Sequence, residues 1–435
     1  MPISFKAAVI GLGYVGLPLA LRMAKAGLEV VGIDVDAEKL RSIRAGKSHI
    51  VDVLSKDLCE GLGTGRFSVT SDFSVLRGVD AVSICVPTPL RKTKDPDLSY
   101  IASTVSEVAK YLHAGQIVVL ESTTYPGTTD ELVLDTLSQT GLSVGQDFFL
   151  GFSPERIDPG NRRFTVENTP KVIGGVTPVC TAKAAAFYRM FLSNVVEVSN
   201  ARVAEMVKLM ENTFRAVNIG LVNEMALLCD RMDIDIWEVI DAAATKPFGF
   251  LPFYPGPGIG GHCIPLDPLY LSWKAKTFDF YHRFIELASD VNSSMPRFVV
   301  GKVADVLNQI GQAVRGSKIL LMGLSYKKDV DDLRESPALE VFELLRQNGA
   351  AVTCTDPYVA SFRDQQGRAI STVELTPQTV EASDLVLLVT DHSSFDYQMV
   401  ADYAHLILDT RNAFRGVHGG AVVKLGTGAP KLQLV

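Results

Sequence analysis

The first 34 residues hold the pattern that most narrows the fold of this chain. A short apolar segment, Lys6 to Ile10, runs directly into the glycine-rich sequence GLGYVG, which begins at Gly11. A helical stretch from Leu17 to Ala26 follows, and a second apolar segment, Glu29 to Ile33, ends at Asp34. This order of elements predicts the start of a doubly wound α/β sheet: a strand, a glycine loop, a helix, a second strand and an acidic residue.

The glycine loop predicts a dinucleotide site. Glycines let the backbone approach a pyrophosphate, and the N-terminus of the next helix attracts its charge. Asp34 lies 23 residues after Gly11, near the spacing of a carboxylate that binds the ribose 2′-hydroxyl and repels a 2′-phosphate. The sequence therefore predicts NAD rather than NADP, and the alternative is a tight turn without a ligand. The predicted cofactor contacts here are Gly11, Gly13, Tyr14, Val15, Gly16 and Asp34.

Apolar segments continue to alternate with helical patterns as far as residue 198. Two of these strands, residues 80–86 and 117–121, are followed by polar sequences that contain Thr88 and Thr123. Ligands of open α/β sheets bind at the carboxyl ends of strands, so both threonines are candidates for contacts with the cofactor or with water. The alternative is that each caps the following helix. A later strand, residues 148–152, precedes the polar loop SPERIDPG, a candidate cover for a substrate.

A long helical pattern from Ala201 to Arg231 contains no proline. Its residues Lys208, Asn212 and Arg215 recur at spacings of four and three, which places them on one helix face. Two cations and an amide on one face suit an anionic or oxyanionic ligand. The alternative is a solvated face with an ordinary Glu211–Arg215 ion pair. Two more helices are predicted, over residues 236–245 and 284–311. Pro296 marks a break or junction in the second of them.

Residues 248–268 read FGFLPFYPGPGIGGHCIPLDP, with five glycines and five prolines. Proline removes hydrogen-bond donors and glycine disfavours regular elements, so this segment is predicted to be a shaped loop whose backbone closely approaches another group. Cys263 follows the pair Gly260-Gly261. A thiol in a glycine-rich loop can act as a nucleophile while backbone N–H groups bind an oxyanion. The alternative is a structural turn with an inert buried cysteine.

A second strand–loop series begins at residue 317 and includes strands over residues 351–354, 384–390 and 406–409. Four cationic residues lie near the ends of these strands: Lys327, Lys328, Arg334 and Arg411. They are suited to bind a diphosphate, and the alternative is that they are exposed surface charges. The predicted fold class is α/β, with two Rossmann-like doubly wound domains joined by a central helical segment. The predicted domains are residues 1–198, 199–312 and 313–435.

Composition narrows the function classes. A net charge of −7 argues against a general nucleic-acid surface. The six cysteines show no CxxC spacing, so neither a metal site nor a disulfide framework is expected. No apolar run approaches the length of a membrane span, and no signal peptide precedes the first strand. We therefore expect a cytoplasmic protein without membrane insertion, where a free catalytic thiol is stable.

Together these motifs resemble the UDP-glucose/GDP-mannose dehydrogenase family along essentially the whole chain, from GLGYVG through GGHCIPLDP to GLSYKKDVDDLRESP and DTRN. The forms SPERIDPGN and GPGxGGHCIPxDP are similar to the branch that acts on UDP-N-acetylhexosamines. His262 and Leu266 stand where UDP-glucose enzymes usually carry Ser or Thr and Lys, and Pro159 stands where they carry a second acid. The resemblance implies UDP-N-acetylglucosamine first and the galacto and manno isomers next. The alternatives are UDP-glucose as the substrate, a binding protein without turnover, and a 6-phosphogluconate-type or hydroxyacid dehydrogenase, which would share only the first domain.

The resemblance also implies a reaction, the oxidation of a C6 alcohol to a carboxylate with two NAD+, and an assembly, a homodimer or larger oligomer. Cys263 matches the nucleophile, Lys208 matches a lysine that stabilises the oxyanion or shuttles the proton, and Asn212 would help to hold the oxyanion. Asp267 and Thr123 match residues beside the reacting water. Glu155 matches a glutamate that acts in the aldehyde or thioester step, and Arg334 matches an arginine that reaches NAD. The implied substrate contacts are Glu155, Arg156, Ile157, Lys208, Asn212, Arg215, Tyr254, Gly258, Gly260, Lys327 and Arg411.

Overall fold

The computed structural model describes residues 5–50, 53–89, 91, 95–156 and 164–428. The chain divides into two compact units. Unit 1 comprises Met1–Glu211 and Leu269–Tyr281, and unit 2 comprises Asn212–Pro268 and His282–Val435. Ile157, one of the predicted substrate contacts, lies outside the described residues.

Unit 1 contains a single large sheet. Its strands are β1 Lys6–Ile10, β2 Glu29–Ile33, β3 Phe67–Thr70, β4 Ala81–Ile84, β5 Ile117–Leu120, β6 Phe149–Phe152, β7 Lys171–Gly175 and β8 Val195–Glu197. They lie in the order β3-β2-β1-β4-β5-β6-β7-β8, and only the β6–β7 pair is antiparallel. The strand order reverses beside β1, which opens a crevice at the carboxyl ends of β1 and β4.

The helices of unit 1 cover both faces of this sheet. They are α1 Gly16–Lys25, α2 Ala37–Arg44, α3 Ser55–Gly63, α4 Ser99–Ala109, α5 Asp135–Ser138 and α6 Pro178–Arg189, with a 3₁₀ turn at Phe73–Gly78 and a π-helical turn at Thr129–Leu134. Successive residues of β1 pack into different apolar clusters: Ala7 and Val9 on one face, Ala8 and Ile10 on the other. Both faces of a parallel sheet are buried in this way, which explains the continuous apolar strands.

Four helices follow in the sequence: α7 Ala201–Met232, α8 Ile236–Ala244, α9 Asp267–Lys276 and α10 Arg283–Gln309. The sequence analysis missed α9, because prolines and glycines directly before it hid its start. The predicted break at Pro296 is wrong, since α10 runs through this proline. Proline removes one helical hydrogen bond, but Met295, Pro296 and Val299 are buried, and their packing holds the helix together.

Unit 2 contains a five-stranded parallel sheet in the order β10-β9-β13-β14-β15 and a separate β11–β12 hairpin. The strands are β9 Lys318–Met322, β10 Ala351–Thr355, β11 Ser361–Arg363, β12 Ala369–Ser371, β13 Leu385–Leu388, β14 Ile407–Asp409 and β15 Val422–Lys424. The helices are α11 Pro337–Gln347, α12 Pro377–Glu381 and α13 Tyr397–Tyr403. Ile319 and Leu321 pack on one face of the sheet, and Leu320 and Met322 on the other. The prediction of two doubly wound α/β regions with helices between them is confirmed.

Within the described ranges, no helix is both long enough and apolar enough to cross a bilayer.

Candidate active site

The glycine loop of unit 1 requires its glycines. Gly11 has a φ of +91°, and a Cβ there would lie 2.6 Å from the carbonyl oxygen of Cys85. At Gly16 a Cβ would collide with the carbonyl oxygen of Gly11, whereas a Cβ at Gly13 would meet open space. Gly11 and Gly16 therefore keep the turn tight against β4, and Gly13 leaves its outer side open to a ligand.

The same loop fits the pyrophosphate of a dinucleotide. Val15 precedes α1, and no side chain caps the N–H groups of the first turn of this helix. Asp34, at the end of β2, is buried and accepts hydrogen bonds from the N–H of Leu12 at 2.9 Å and from Nζ of Lys39 at 2.7 Å. The uncapped helix start is suited to bind an anion, and Asp34 holds the loop beside it. The predicted Gly11, Gly13, Tyr14, Val15, Gly16 and Asp34 all lie in this turn and the adjoining strand end.

We expect Asp34→Ala to reduce the preference for NAD+ over NADP+ by about tenfold or more, a change that corresponds to about 1.4 kcal/mol. The variant loses the carboxylate that repels a 2′-phosphate and also frees the Lys39 ammonium, now 2.7 Å from Asp34, to attract one. The measurement is kcat/KM for both cofactors. Asp36→Ala is the matched control, because Asp36 only caps α2 and is expected to leave the preference unchanged. An unaltered preference in Asp34→Ala would refute this role.

The two predicted threonines lie after β4 and β5. Thr88 is half-buried, and its carbonyl oxygen accepts a hydrogen bond from the hydroxyl of Tyr270. Thr123 is also half-buried, beside Thr124, whose buried hydroxyl has no partner among the described residues. Ser153, at the end of β6, carries a second buried hydroxyl of this kind. Buried hydroxyls are normally satisfied, so these two call for an ordered water or a ligand group at the strand ends.

Glu155 and Lys208 come together in unit 1. The Lys208 ammonium, on α7, donates to the carbonyl oxygen of Glu155 at 2.6 Å, and the Lys208 side chain is buried. Arg156 forms a two-pronged ion pair with Glu211, with Nη2–Oε1 at 2.6 Å and Nε–Oε2 at 3.3 Å. The alternative of a Glu211–Arg215 pair is therefore wrong, because Arg156 from the loop after β6 reaches Glu211 instead.

Glu205 is a buried acid of α7 that the sequence analysis missed. Its carboxylate accepts hydrogen bonds from the N–H of Gly127 at 2.6 Å and from the N–H and hydroxyl of Thr129 at 2.9 and 2.7 Å. It therefore fastens the segment that follows Thr123 to the helix that carries Lys208. Burial raises the pKa of Glu205 to about 7, against the opposing effect of these hydrogen bonds. Only the E-x-x-K spacing on α7 hints at this role in the sequence.

We expect Glu205→Gln to change how stability depends on pH. Because the pKa of Glu205 is raised in the folded protein, the folded state binds this proton more tightly than the unfolded state. The wild-type free energy of unfolding therefore falls as pH rises from about 4.5 to about 7. The variant lacks this decline, so it gains about 3 kcal/mol relative to wild type over that range. Thermal unfolding midpoints from pH 4.5 to 8 measure it, and parallel curves would contradict it.

The cysteine loop of unit 2 packs closely on the loop after β9. Gly258 and Gly261 have φ values of +131° and +84°. A Cβ at Gly260 would lie 2.5 Å from Cβ of Tyr326, and one at Gly261 would lie 2.8 Å from the Tyr326 ring. The N–H of Gly261 donates to the carbonyl oxygen of Arg334 at 3.0 Å. Only glycines allow this close contact, which fixes the backbone on both sides of the pair and presents the half-buried Cys263.

Asp267 and Asn212 form a buried polar pair next to the cysteine. The Asn212 amide donates to Oδ2 of Asp267 at 2.5 Å, and both side chains are buried. The N–H of Asp267 donates to the carbonyl oxygen of Cys263 at 2.8 Å, in the turn that starts α9. This turn fixes the carboxylate four residues after the thiol, as the motif predicted.

The predicted cations of unit 2 are spread along loop ends. Arg411 follows β14, donates through Nε to the carbonyl oxygen of Val389 at 2.8 Å, and lies against Gly256 of the cysteine loop. Burial lowers the pKa of Arg411, and the carboxylates of Asp391 and Asp409 oppose this shift. Arg334 binds Asp332, with Nη2–Oδ2 at 2.5 Å. The structure thus brings Arg411 and the Arg334 backbone to the cysteine loop.

Three predicted contacts lie at the surface or beside it. Arg215 is exposed on α7, although Lys208 and Asn212 of the same predicted face are buried. Tyr254 is exposed, donates to Oδ1 of Asp241 at 3.1 Å, and stacks on Trp237. Lys327 is half-buried in the loop after β9.

A buried histidine that the sequence analysis missed supports the Lys327 loop. His392 accepts the N–H of Asp329 at Nδ1, at 3.0 Å, so its Nε2 carries the hydrogen in the neutral ring. Nε2 lies 3.0 Å from Oδ2 of Asp356, and this carboxylate also accepts the N–H of Leu324 at 2.7 Å. The His392–Asp356 pair therefore fixes the backbone on both sides of Lys327, at Leu324 and at Asp329.

Comparison with known proteins accounts for almost the whole chain. Residues 5–192 match the NAD binding domain of the UDP-glucose/GDP-mannose dehydrogenase family, residues 202–294 its central domain, and residues 320–416 its UDP binding domain. A UDP-N-acetyl-D-mannosamine dehydrogenase of Pyrococcus horikoshii is 37% identical over 95% of this chain and 99% of its own length. A UDP-N-acetyl-D-glucosamine 6-dehydrogenase of Pseudomonas aeruginosa is 36% identical over 90% of this chain and 91% of its own.

A solved structure extends the likeness to the fold. The structure of UDP-D-ManNAc dehydrogenase from Pyrococcus horikoshii superposes with a TM-score of 0.89 at 35% identity, covering 97% of this chain and 99% of that one. The matched domains, the similar structure and the two glycine-containing loops all indicate the same family. The chain belongs to the UDP-glucose/GDP-mannose dehydrogenase family and is an NAD-dependent UDP-sugar dehydrogenase.

Proposed function

We propose that this chain oxidises the C6 alcohol of a UDP-N-acetylhexosamine to a carboxylate in two steps. The observation that carries the proposal is the cysteine loop, where glycine contacts fix the backbone around Cys263 and the buried Asn212–Asp267 pair follows it. NAD+ supplies the hydride acceptor for both oxidations. The chain's own residues must then remove a proton, hold an oxyanion and bind the aldehyde covalently.

The first oxidation needs a base and a cation near the C6 oxygen. In our proposal the buried ammonium of Lys208 stabilises the developing alkoxide, and Asn212 donates its amide to the same oxygen. Asp267, which Asn212 contacts at 2.5 Å, orients a water that takes part in proton removal. Thr123 lies beside this water and the nicotinamide in the same proposal.

The second oxidation needs a nucleophile, because the aldehyde must gain an oxygen. The sulfur of Cys263 bonds to the aldehyde carbon while the thiol proton moves to the aldehyde oxygen, which forms a thiohemiacetal. Loss of the remaining hydrogen on this carbon as a hydride, and of the hydroxyl proton to water, gives a thioester. Water then attacks the thioester carbon, Glu155 accepts its proton, and the carbon–sulfur bond breaks to release Cys263. The carboxylate product and the free cysteine complete the cycle.

The remaining predicted residues bind ligands in this proposal. Lys327, Arg411, Arg215 and Tyr254 contact the UDP-sugar, together with Gly258 and Gly260 of the cysteine loop and with Arg156 and Ile157. Arg334 and Thr88 contact NAD. Support comes from the Arg411 guanidinium against Gly256 and from the Lys327 loop that His392 and Asp356 hold.

Two acetylated hexosamines are the leading substrates. The cysteine-loop motif resembles the branch of enzymes for UDP-N-acetylhexosamines, and we place UDP-N-acetylglucosamine first. UDP-N-acetylmannosamine is the second candidate, because the relative from Pyrococcus horikoshii at 37% identity carries that name. The galacto isomer and UDP-glucose follow.

A substrate panel tests the proposal. The purified protein is assayed with NAD+ and each of UDP-GlcNAc, UDP-ManNAc, UDP-GalNAc, UDP-glucose and GDP-mannose, and both the rate and the NADH formed per sugar are recorded. We expect two NADH per sugar with an acetylated UDP-hexosamine. One NADH per sugar would contradict the thioester route, and no NADH with any sugar would favour a binding protein without turnover.

We propose three domains, at residues 1–198, 199–312 and 313–435, and a cytoplasmic location.

We also propose that the protein is a homodimer or larger oligomer. Support for the oligomer comes from an exposed apolar stripe on α7, at spacings of three, four and seven residues: Phe214, Leu221, Met225, Leu228 and Met232. Such a stripe is typical of a helix that packs against another chain. Sedimentation that detected only monomers at micromolar concentration would exclude this assembly.

A further inference from the structure

A buried charged cluster lies at the carboxyl edge of the unit 1 sheet, and the residues proposed above explain only one of its members. Glu121 directly follows β5, and Glu155 comes shortly after β6. Because β7 runs antiparallel to β6, its first residue, Lys171, lies at this same edge. The two strands pair through Gly151 with Gly175 and through Phe152 with Gly174.

Lys171 bridges the two carboxylates. Its Nζ lies 2.6 Å from Oε2 of Glu121 and 3.2 Å from Oε2 of Glu155. The side chains of Lys171, Glu121 and Glu155 are 7%, 0% and 12% exposed, so little water screens these contacts. The hydroxyl of Tyr188, on α6, donates to the other oxygen of Glu121. Glu121 therefore has two partners, Lys171 and Tyr188, and it shares the Lys171 ammonium with the Glu155 carboxylate.

The Glu155 carboxylate is fixed from two sides. Oε2 faces Lys171, and Oε1 accepts the N–H of Arg156 at 2.8 Å. Its main-chain carbonyl oxygen accepts from Lys208 at 2.6 Å. The ammonium of Lys171 and that of Lys208 thus act on different atoms of Glu155: Lys171 contacts the carboxylate, and Lys208 contacts the main-chain carbonyl oxygen.

The charges in this cluster favour a protonated lysine. Burial lowers the pKa of Lys171, but the carboxylates of Glu121 and Glu155 outweigh it, and the pKa lies above the ordinary value. Burial raises the pKa of Glu121, with Lys171 opposing and Glu155 adding to the shift. Burial also raises the pKa of the neighbouring Cys85 thiol and Tyr188 hydroxyl, so both stay neutral. The cluster then holds one buried cation between two acids.

We propose that Lys171 is a positioning residue that keeps the Glu155 carboxylate ionised and correctly oriented for its reaction. This inference rests on the proposed function, in which Glu155 accepts the proton of the water that attacks the Cys263 thioester. Without the ammonium, Glu121 and Glu155 are two buried carboxylates at close range, and such a pair retains a proton. A protonated Glu155 cannot act as the base.

The test compares Lys171→Met, Lys171→Arg and Glu121→Gln with wild type. In Lys171→Met we expect the acid limb of the pH–rate profile to move up by about one pH unit or more, which lowers turnover below the limb about tenfold. The Cys263 thioester should accumulate, as intact-protein mass spectrometry after acid quench detects. Lys171→Arg retains a cation and should keep the wild-type limb.

Glu121→Gln separates positioning from general support of the fold. It removes the negative neighbour and leaves Lys171 to Glu155 alone, so its acid limb should stay in place or move to lower pH. A structural role of the cluster would make Lys171→Met and Glu121→Gln alike, and equal upward movement of both limbs would overturn the proposal.

A measurement without substrate keeps this inference apart from the proposed function. At pH 7, where Glu205 is itself partly protonated, the infrared difference spectrum of Lys171→Met minus wild type should show the carbonyl band of an additional protonated carboxyl group. The same difference for Lys171→Met/Glu155→Gln should show this band weakened or absent. A band equally strong in both proteins would assign the proton to Glu121, and no band would mean that both acids stay ionised; either result overturns the role of Lys171. Failure of the substrate panel with wild type, in contrast, would overturn the reaction and not this contact.

Discussion

Cys263→Ser should stop the formation of the uronic acid. The serine hydroxyl is almost un-ionised at neutral pH and is a far weaker nucleophile than a thiol, so the aldehyde is not captured. We expect steady acid production to fall by more than about 10³-fold, as losses of a covalent nucleophile commonly do. NADH formation should stall at no more than one per sugar, where wild type gives two. Quantifying NADH and product from the same reaction measures both effects.

Cys59→Ser is the matched control for this variant. Cys59 is a free, exposed cysteine in α3, and its loss should leave rate and stoichiometry unchanged. Steady acid production at the wild-type rate in Cys263→Ser would remove the covalent route, whatever the first oxidation does. Proper folding of the variant is checked by its unfolding midpoint, since Cys263 is only half-buried and tolerates this small change.

Lys208→Met should lower turnover by about 10²–10³-fold, the range typical of a lost group that stabilises an oxyanion. Methionine keeps the length and apolar stem of the buried side chain but removes the ammonium that reaches Glu155. Since this cation stabilises the alkoxide in the proposed first step, the loss should fall on kcat more than on KM. Initial rates over a range of UDP-sugar concentrations separate the two constants.

Lys302→Met provides a stringent control for Lys208→Met. Lys302 is equally buried, in α10, and pairs with Asp230 at 2.7 Å. Breaking this pair leaves a partly buried carboxylate uncompensated and should cost about 3–5 kcal/mol of unfolding free energy. Its turnover at a temperature where it stays folded should match wild type. If Lys208→Met lost stability but kept its kcat, Lys208 would be structural.

The alternation of strands and helices was readable from the sequence for a simple physical reason. Strands buried on both faces must be apolar throughout, and β1 and β2 were predicted with their observed bounds. The helix through Pro296 was not readable, because a local rule about proline was outweighed by the packing of Met295 and Val299. The start of α9 was hidden in the same way by the prolines around it.

The site residues also differ in whether the sequence alone could predict their role. Some site residues could be predicted because only glycine fits at their positions. A side chain would collide with neighbouring atoms at Gly11, Gly16, Gly260 and Gly261. The partner of Glu211 could not be predicted in this way. Arg215 is its neighbour in the sequence, but Arg156 is the residue that contacts it in the structure. Arg215 itself is exposed although its spacing shares a face with buried residues.

The sequence alone determined the fold class, the cofactor, the family and the identity of the candidate nucleophile, since these depend on residue types at short fixed spacings. Only the tertiary structure decided which charges meet. Lys171 with Glu155, Glu205 with Thr129, and His392 with Asp356 are pairs between residues far apart in the chain. Such contacts depend on strand order and on which side chains share a buried edge, and a single sequence carries no local signal of either.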